Sequence, residues 1–88
     1  MAPGFNAMTR DEIKQVVVQT LHTIAPEADP NELSPDAAIR VQLDIDSMDA
    51  LNFFIRLHQK LGVEIPEADY GKLNTLNECV AYLAAKLG

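Results

Sequence analysis

The amino-acid sequence predicts an all-α fold, and three observations carry that prediction. Thr9-Arg10-Asp11-Glu12 and Thr75-Leu76-Asn77-Glu78 each place a hydroxyl and a carboxylate three residues apart, the pairing that satisfies free amides at a helix start. Apolar residues follow each pair at three- and four-residue spacing, the period of one helix face. A third stretch, residues 47–61, repeats that spacing behind Asp46, a short carboxylate suited to capping.

The first helix is expected over residues 9–24, with Ile13, Val16, Val17, Leu21 and Ile24 on its buried side. Its valines favour strands, but their spacing outweighs a weak propensity. Ala25-Pro26 ends it. Residues 26–46 form a long connection with three prolines, in which Ser34-Pro35 suits the start of a short helical turn. A loop of that length in a small domain demands a functional reason, and Leu33, Ala38, Ile39 and Leu43 offer it apolar anchors.

In the second helix, residues 47–61, Ala50, Phe53, Phe54, Leu57 and Leu61 share one side. Met48, Leu51 and Ile55 form a second stripe, bordered by Asn52, Arg56 and Gln59. Folding does not require it, so the first loop covers it or it is left as a docking surface. Gly62 suits the position just past the helix end, after Lys60 in the last turn. Val63-Glu64-Ile65-Pro66 runs extended, because a residue before proline avoids the helical region. A single turn is expected at residues 67–70, stopped by Gly71. The final helix spans 75–87, with Leu76, Val80, Leu83 and Leu87 in its stripe and the polar tips of Tyr82 and Lys86 in solvent.

Eighty-eight residues make one small domain, too small to enclose a deep catalytic cleft of its own. Nearly half of them are apolar, which favours a compact fold over a disordered chain. No segment approaches the roughly 20 apolar residues that span a bilayer. Residues 1–8 contain neither a positive n-region nor an apolar h-region, so they read as a flexible leader to a domain at 9–88 and not as a signal peptide. Cys79, the single cysteine, sits in a helical pattern as a small buried hydrophobe. A monomer in the reducing cytoplasm is the expectation.

The net charge of −6 is concentrated between residues 25 and 49, where seven acids face a single base, Arg40. Such a surface repels a phosphate backbone, which argues against nucleic acid as a partner. A negative patch around one serine suits basic protein surfaces; otherwise it is a solvated loop.

Independent catalysis finds little support. There is no Gly-x-Ser-x-Gly elbow, and His58, eleven residues beyond Ser47 on one helix, lies roughly 16 Å away, beyond reach as its base. His22 is a lone histidine near a helix end, more often a surface residue than a catalytic one. Asp44, Asp46 and Asp49 fail the calcium-loop pattern, since Asp49 stands in the glycine place and Ile55 in the glutamate place. Two isolated histidines and one cysteine do not assemble a zinc set. No catalytic residue and no metal site is predicted.

Asp46-Ser47-Met48 follows an acidic loop and precedes Leu61-Gly62-Val63-Glu64-Ile65-Pro66 and a capped terminal helix. In this combination the chain resembles the acyl carrier proteins over residues 9–87. The resemblance implies a small four-helix bundle with a long first loop and a short third helix. It implies that Ser47 carries a 4′-phosphopantetheine arm, moved from coenzyme A by a phosphopantetheinyl transferase. The protein would then hold an acyl group as a thioester and deliver it to enzymes of fatty-acid, lipid or secondary-metabolite synthesis, as a carrier and not an enzyme. By the same resemblance Leu33, Ile39 and Leu43 anchor the loop, and Ile65, Ala68 and Leu73 help line the cavity that shelters the acyl chain; Phe53 and Phe54 would join Ile65 and Leu73 in a neutral pocket that favours an aliphatic guest, although filling the core is the commoner role for both. Asp44, Asp46, Met48 and Asp49, with Leu51, Asn52, Ile55 and Arg56, would meet the basic docking surfaces of partners.

The chain departs from the family pattern in two ways. Met48 replaces the commoner leucine, a volume-conserving change. Past Asp49 the recognition helix carries Asn52, Arg56, His58 and Lys60 where the family is rich in carboxylates, which implies a specialised carrier with partners other than the general fatty-acid enzymes. Two alternatives stay open: an aminoacyl or peptidyl carrier, and an unmodified helical adaptor in which Ser47 only opens a helix.

Overall fold

The computed structural model describes residues 8–87. The leader expected at 1–8 lies outside the described residues except for Met8, whose side chain packs against the core. Four α-helices follow in order: α1 (Arg10–Ile24), α2 (Ile39–Leu43), α3 (Ser47–Leu61) and α4 (Leu76–Leu87). Two 3-10 segments, Pro30–Glu32 and Glu67–Lys72, lie before α2 and before α4. The bundle is the one expected, its short third member being the segment Glu67–Lys72.

Both other long helices, α3 and α4, pack against α1. Thr9 and Glu12 cap its start reciprocally, and Ile13, Val17, Val18, Thr20 and Leu21 are buried along it. Val18 and Thr20 widen the stripe beyond the expected one. The Thr20 hydroxyl is accommodated inside because it donates to the Val16 carbonyl at 2.6 Å. From α3 come Ala50, Phe53, Phe54 and Leu57, and from α4 come Leu76, Cys79, Val80 and Leu83, while Leu61 and Leu87 lie half-buried at the edges. Gly62 ends α3 in the left-handed region at φ 68°, its amide donating to the His58 carbonyl at 2.8 Å.

The long loop is fastened at several points. Gln42 acts as a clamp: its side-chain amide accepts from the Ser34 N–H at 2.7 Å and donates to the carbonyls of Ser34 and Ala37. Ala38 pairs antiparallel with Thr75, and the Ile39 amide donates to the Asn74 carbonyl at 2.9 Å. Asn77 donates its backbone amide to Pro35 and its side chain to Asp36. Ile39 is buried, with Leu33 and Leu43 half-buried against the core, so all three expected anchors hold.

Three expectations are corrected. The loop contains a helix of its own, α2, which has no side-chain cap to announce it. Gly71 does not stop the turn after Pro66, because it keeps an ordinary backbone conformation and the 3-10 segment runs on to Lys72. Tyr82 does not leave its hydroxyl unpartnered at the rim: it donates to Asp69 at 2.6 Å, and Lys86 lies 5.4 Å from its ring centroid. This bond, with the Lys72–Asp69 ion pair at 3.2 Å, ties the 3-10 segment to α4.

Leu57 is fully buried. Leu57→Ala is expected to lower unfolding stability by about 2–5 kcal/mol in urea titration, the range for an emptied core position. The Tyr82–Asp69 bond gives a pH signature. It holds the Asp69 carboxyl below its ordinary 3.8, so its contribution is complete above that value and lost as pH falls through the lowered one. Burial and the Asp69 bond push the Tyr82 phenol from 10.0 up to about 12, so the matching contribution is complete below pH 10 and lost as pH rises through 12. Absorbance titration should show one tyrosine ionising late, absent in Tyr82→Phe, whose stability should fall less at both extremes.

Candidate functional site

The joint between α2 and α3 is three residues long. Asp44 takes the left-handed conformation at φ 53°, so that its own amide and that of Ile45 both end on the Arg40 carbonyl. Aspartate tolerates this region better than most side chains. Ile45 then turns inward and is buried. Asp46 returns to extended backbone, and its carboxylate accepts from the Asp49 amide at 2.9 Å, capping α3. Ser47 is the first residue of α3, and it is exposed. Capping falls to Asp46, so the serine hydroxyl is not consumed by it.

Asp44 and Asp46 are exposed and Asp49 half-buried, all within three residues of Ser47. The second stripe of α3 is not covered by the loop: Met48 is 65% and Ile55 43% exposed, with Leu51 half-buried. Val41 on α2, at 80% exposed, is a further apolar side chain near this end. Asn52 and Arg56 are exposed along the same helix. The eight residues expected at a partner surface therefore lie on α3 and the joint before it, seven of them on or flanking its outer side and Asp44 at the end of α2.

A cleft of about 270 Å³ opens at Ser47, lined by Arg40, Ala50, Leu51, Phe54, Glu67 and Tyr70. Behind it a recess walled by Ile39, Ile45, Phe53, Phe54 and Leu73 holds only about 20 Å³, room for about one water molecule. Phe54 and Tyr70 stack with centroids 4.4 Å apart. Ile65 lies in a separate cleft of about 280 Å³ with Phe54, His58, Pro66 and Tyr70. Of the five residues expected around an acyl chain, Phe53, Phe54 and Leu73 come together, and Ile65 joins them only through Phe54.

Ala68 is misplaced by the sequence reading, because it is exposed. In a 3-10 turn side chains three apart eclipse one another. Glu67 and Tyr70 therefore share the face that meets α3, and Ala68 turns away. Sequence reasoning also missed Arg40, Glu67, Tyr70 and Val41, none of which carries a local signal of its own.

His58 stands at the far end of α3, its Nδ1 2.8 Å from the Val63 carbonyl. His22 lines a wider cleft of about 490 Å³ with Gln15, Gln19 and Asp29, which shares no residue with the one at Ser47. Cys79 is fully buried, its thiol pushed up to about 12 by desolvation, and its sulfur lies 3.5 Å from the Leu73 carbonyl. No group of three or more metal-binding side chains occurs among the described residues, and no helix among them is long and apolar enough to cross a membrane.

Comparison with known proteins bears on this site. The family described as a phosphopantetheine attachment site matches residues 11–83. An acyl carrier protein of Helicobacter hepaticus is 32% identical over 77 residues, covering 88% of this chain and 95% of that relative. A meromycolate extension acyl carrier protein of Mycobacterium leprae is 29% identical over 77 residues, covering 88% of this chain and 66% of that relative. Among solved structures, an acyl carrier protein from Enterococcus faecalis superposes with a TM-score of 0.69 at 23% identity, covering 90% of this chain and 99% of that one, a likeness of fold. The chain belongs to the acyl carrier proteins, whose cofactor is a covalent 4′-phosphopantetheine.

Proposed function

We propose that Ser47 is the attachment point of the arm and that the chain is a specialised, non-catalytic carrier of acyl groups in the cytoplasm. The observation that carries this reading is an exposed hydroxyl at the first position of a capped helix, with a cleft opening beside it. The residues present fit the group. A phosphodiester at Ser47 would lie at a helix N-terminus, where negative charge is favoured. The cleft offers apolar walls from Ala50, Leu51 and Phe54 and polar groups from Arg40 and Glu67, which suits an amphipathic chain.

When bound, the arm supplies a thiol on which an acyl group is held as a thioester. This chain's residues position and recognise. Asp46 stiffens the helix start, and Asp44 and Asp49 attract the basic surface of a transferase or synthase. Met48, Leu51 and Ile55, with Val41 nearby, supply the apolar part of a contact whose rim is charged. An aliphatic guest is supported by the neutral lining of Phe53, Phe54 and Leu73, whose recess has room for only about 20 Å³.

Incubation with coenzyme A and a broad-specificity phosphopantetheinyl transferase should add the mass of one arm to the wild type and none to Ser47→Ala. An unchanged wild-type mass would leave an unmodified adaptor as the reading. The charge of α3 is tested separately. The double variant Asn52→Glu, Arg56→Glu should raise turnover by general fatty-acid synthase enzymes by about tenfold or more, the scale of electrostatic steering. Equal turnover would remove charge as the basis of partner choice.

A further inference from the structure

Arg40 is the only base between residues 25 and 49, and it stands at the site. It is the one base that lines both the cleft at Ser47 and the recess behind it. Its carbonyl accepts the amides of Asp44 and Ile45, so its backbone is held at a fixed place relative to the start of α3. Among the described residues Lys72 pairs with Asp69, His58 Nδ1 lies 3.7 Å from a Glu64 oxygen, and Arg40 enters no ion pair. Glu67, the acid in the same cleft, is not paired with it.

The electrostatics call for a cation at this place once the serine is modified. A phosphodiester brings a full negative charge beside Asp44, Asp46 and Asp49. The helix end offers the equivalent of about half a positive charge, confined to the first turn, against three carboxylates. A guanidinium is permanently charged and presents a planar fork of donors that matches two phosphate oxygens at once.

We infer that Arg40 binds the phosphodiester of the arm on Ser47 and folds the arm back over the cleft between α2 and α3. The inference rests on Ser47 as the attachment point. Its consequence is that the arm starts along the wall of Leu51, Phe54 and Tyr70 instead of standing free in solvent. Arg40 is thus a positioning residue, and a partner enzyme takes the arm by replacing its contact with the phosphate.

The test uses arm-bearing wild type, Arg40→Gln and Arg40→Lys, each checked by intact mass and by the amide spectrum of the arm-free form. Phosphorus NMR relaxation of the wild type should report a phosphate tumbling with the protein, and the Arg40 Nε–H signal should shift on arm addition. In Arg40→Gln the phosphorus line should narrow to that of a mobile group. Arg40→Lys, which keeps the charge but loses the fork, should fall between. Equal phosphorus relaxation in wild type and Arg40→Gln overturns the inference while leaving the attachment at Ser47 standing. Failure of Arg40→Gln to accept the arm also overturns it, by placing Arg40 in the transferase contact. A wild type that accepts no arm removes the attachment reading itself.

Discussion

One left-handed residue decides how the site is presented. With φ 53° at Asp44, the chain reverses out of α2, spends two amides on the Arg40 carbonyl, buries Ile45 and reaches Asp46 in the extended conformation that a cap requires. Each step constrains the next. Were the chain to continue helically through Asp44, Ile45 would lose its place in the core and α3 would lose its cap. Ser47 points outward because the residues before it are committed inward and to the backbone. A hydroxyl displayed this way needs no chemistry of its own, only a fixed address.

The rest of the fold keeps that joint in place. α1 supplies the wall against which α3 and α4 both pack, and the long loop is sewn to the start of α4 through Ala38–Thr75, Ile39–Asn74 and Asn77 with Pro35 and Asp36. The 3-10 segment is tied to α4 from its other side by Asp69. That segment sends Tyr70 onto Phe54, so that both rings line the cleft at the serine. What remains open is the outer cleft, where Arg40, Glu67 and Ser47 meet the apolar side of α3. Phe53 and Phe54 fill the interior behind it, where the recess they share with Leu73 holds only about 20 Å³.

Local hydrogen bonding made much of this legible from sequence. The threonine–glutamate boxes of α1 and α4, the Asp46 cap and the terminal Gly62 are each written within four residues, and all are present. The apolar stripes predicted the core because period alone selects a face. What escaped was held by distant partners. α2 has no cap and owes its start to the Asn74 carbonyl, and the Tyr82 tip is taken by a carboxylate thirteen residues back. Ala68 failed because a 3-10 turn and an α-turn send adjacent residues to different faces. Arg40 was visible only as a count of charge; its place beside Ser47 is a property of the fold.

The chain contains one other serine, Ser34, whose N–H and carbonyl are engaged by Gln42. Fragmentation mass spectrometry of the peptide spanning the joint, taken from protein exposed to coenzyme A and a transferase, therefore addresses the central claim most directly. The account predicts that the added mass resides on Ser47 alone. An arm found on Ser34, or on any residue outside the first turn of α3, contradicts it.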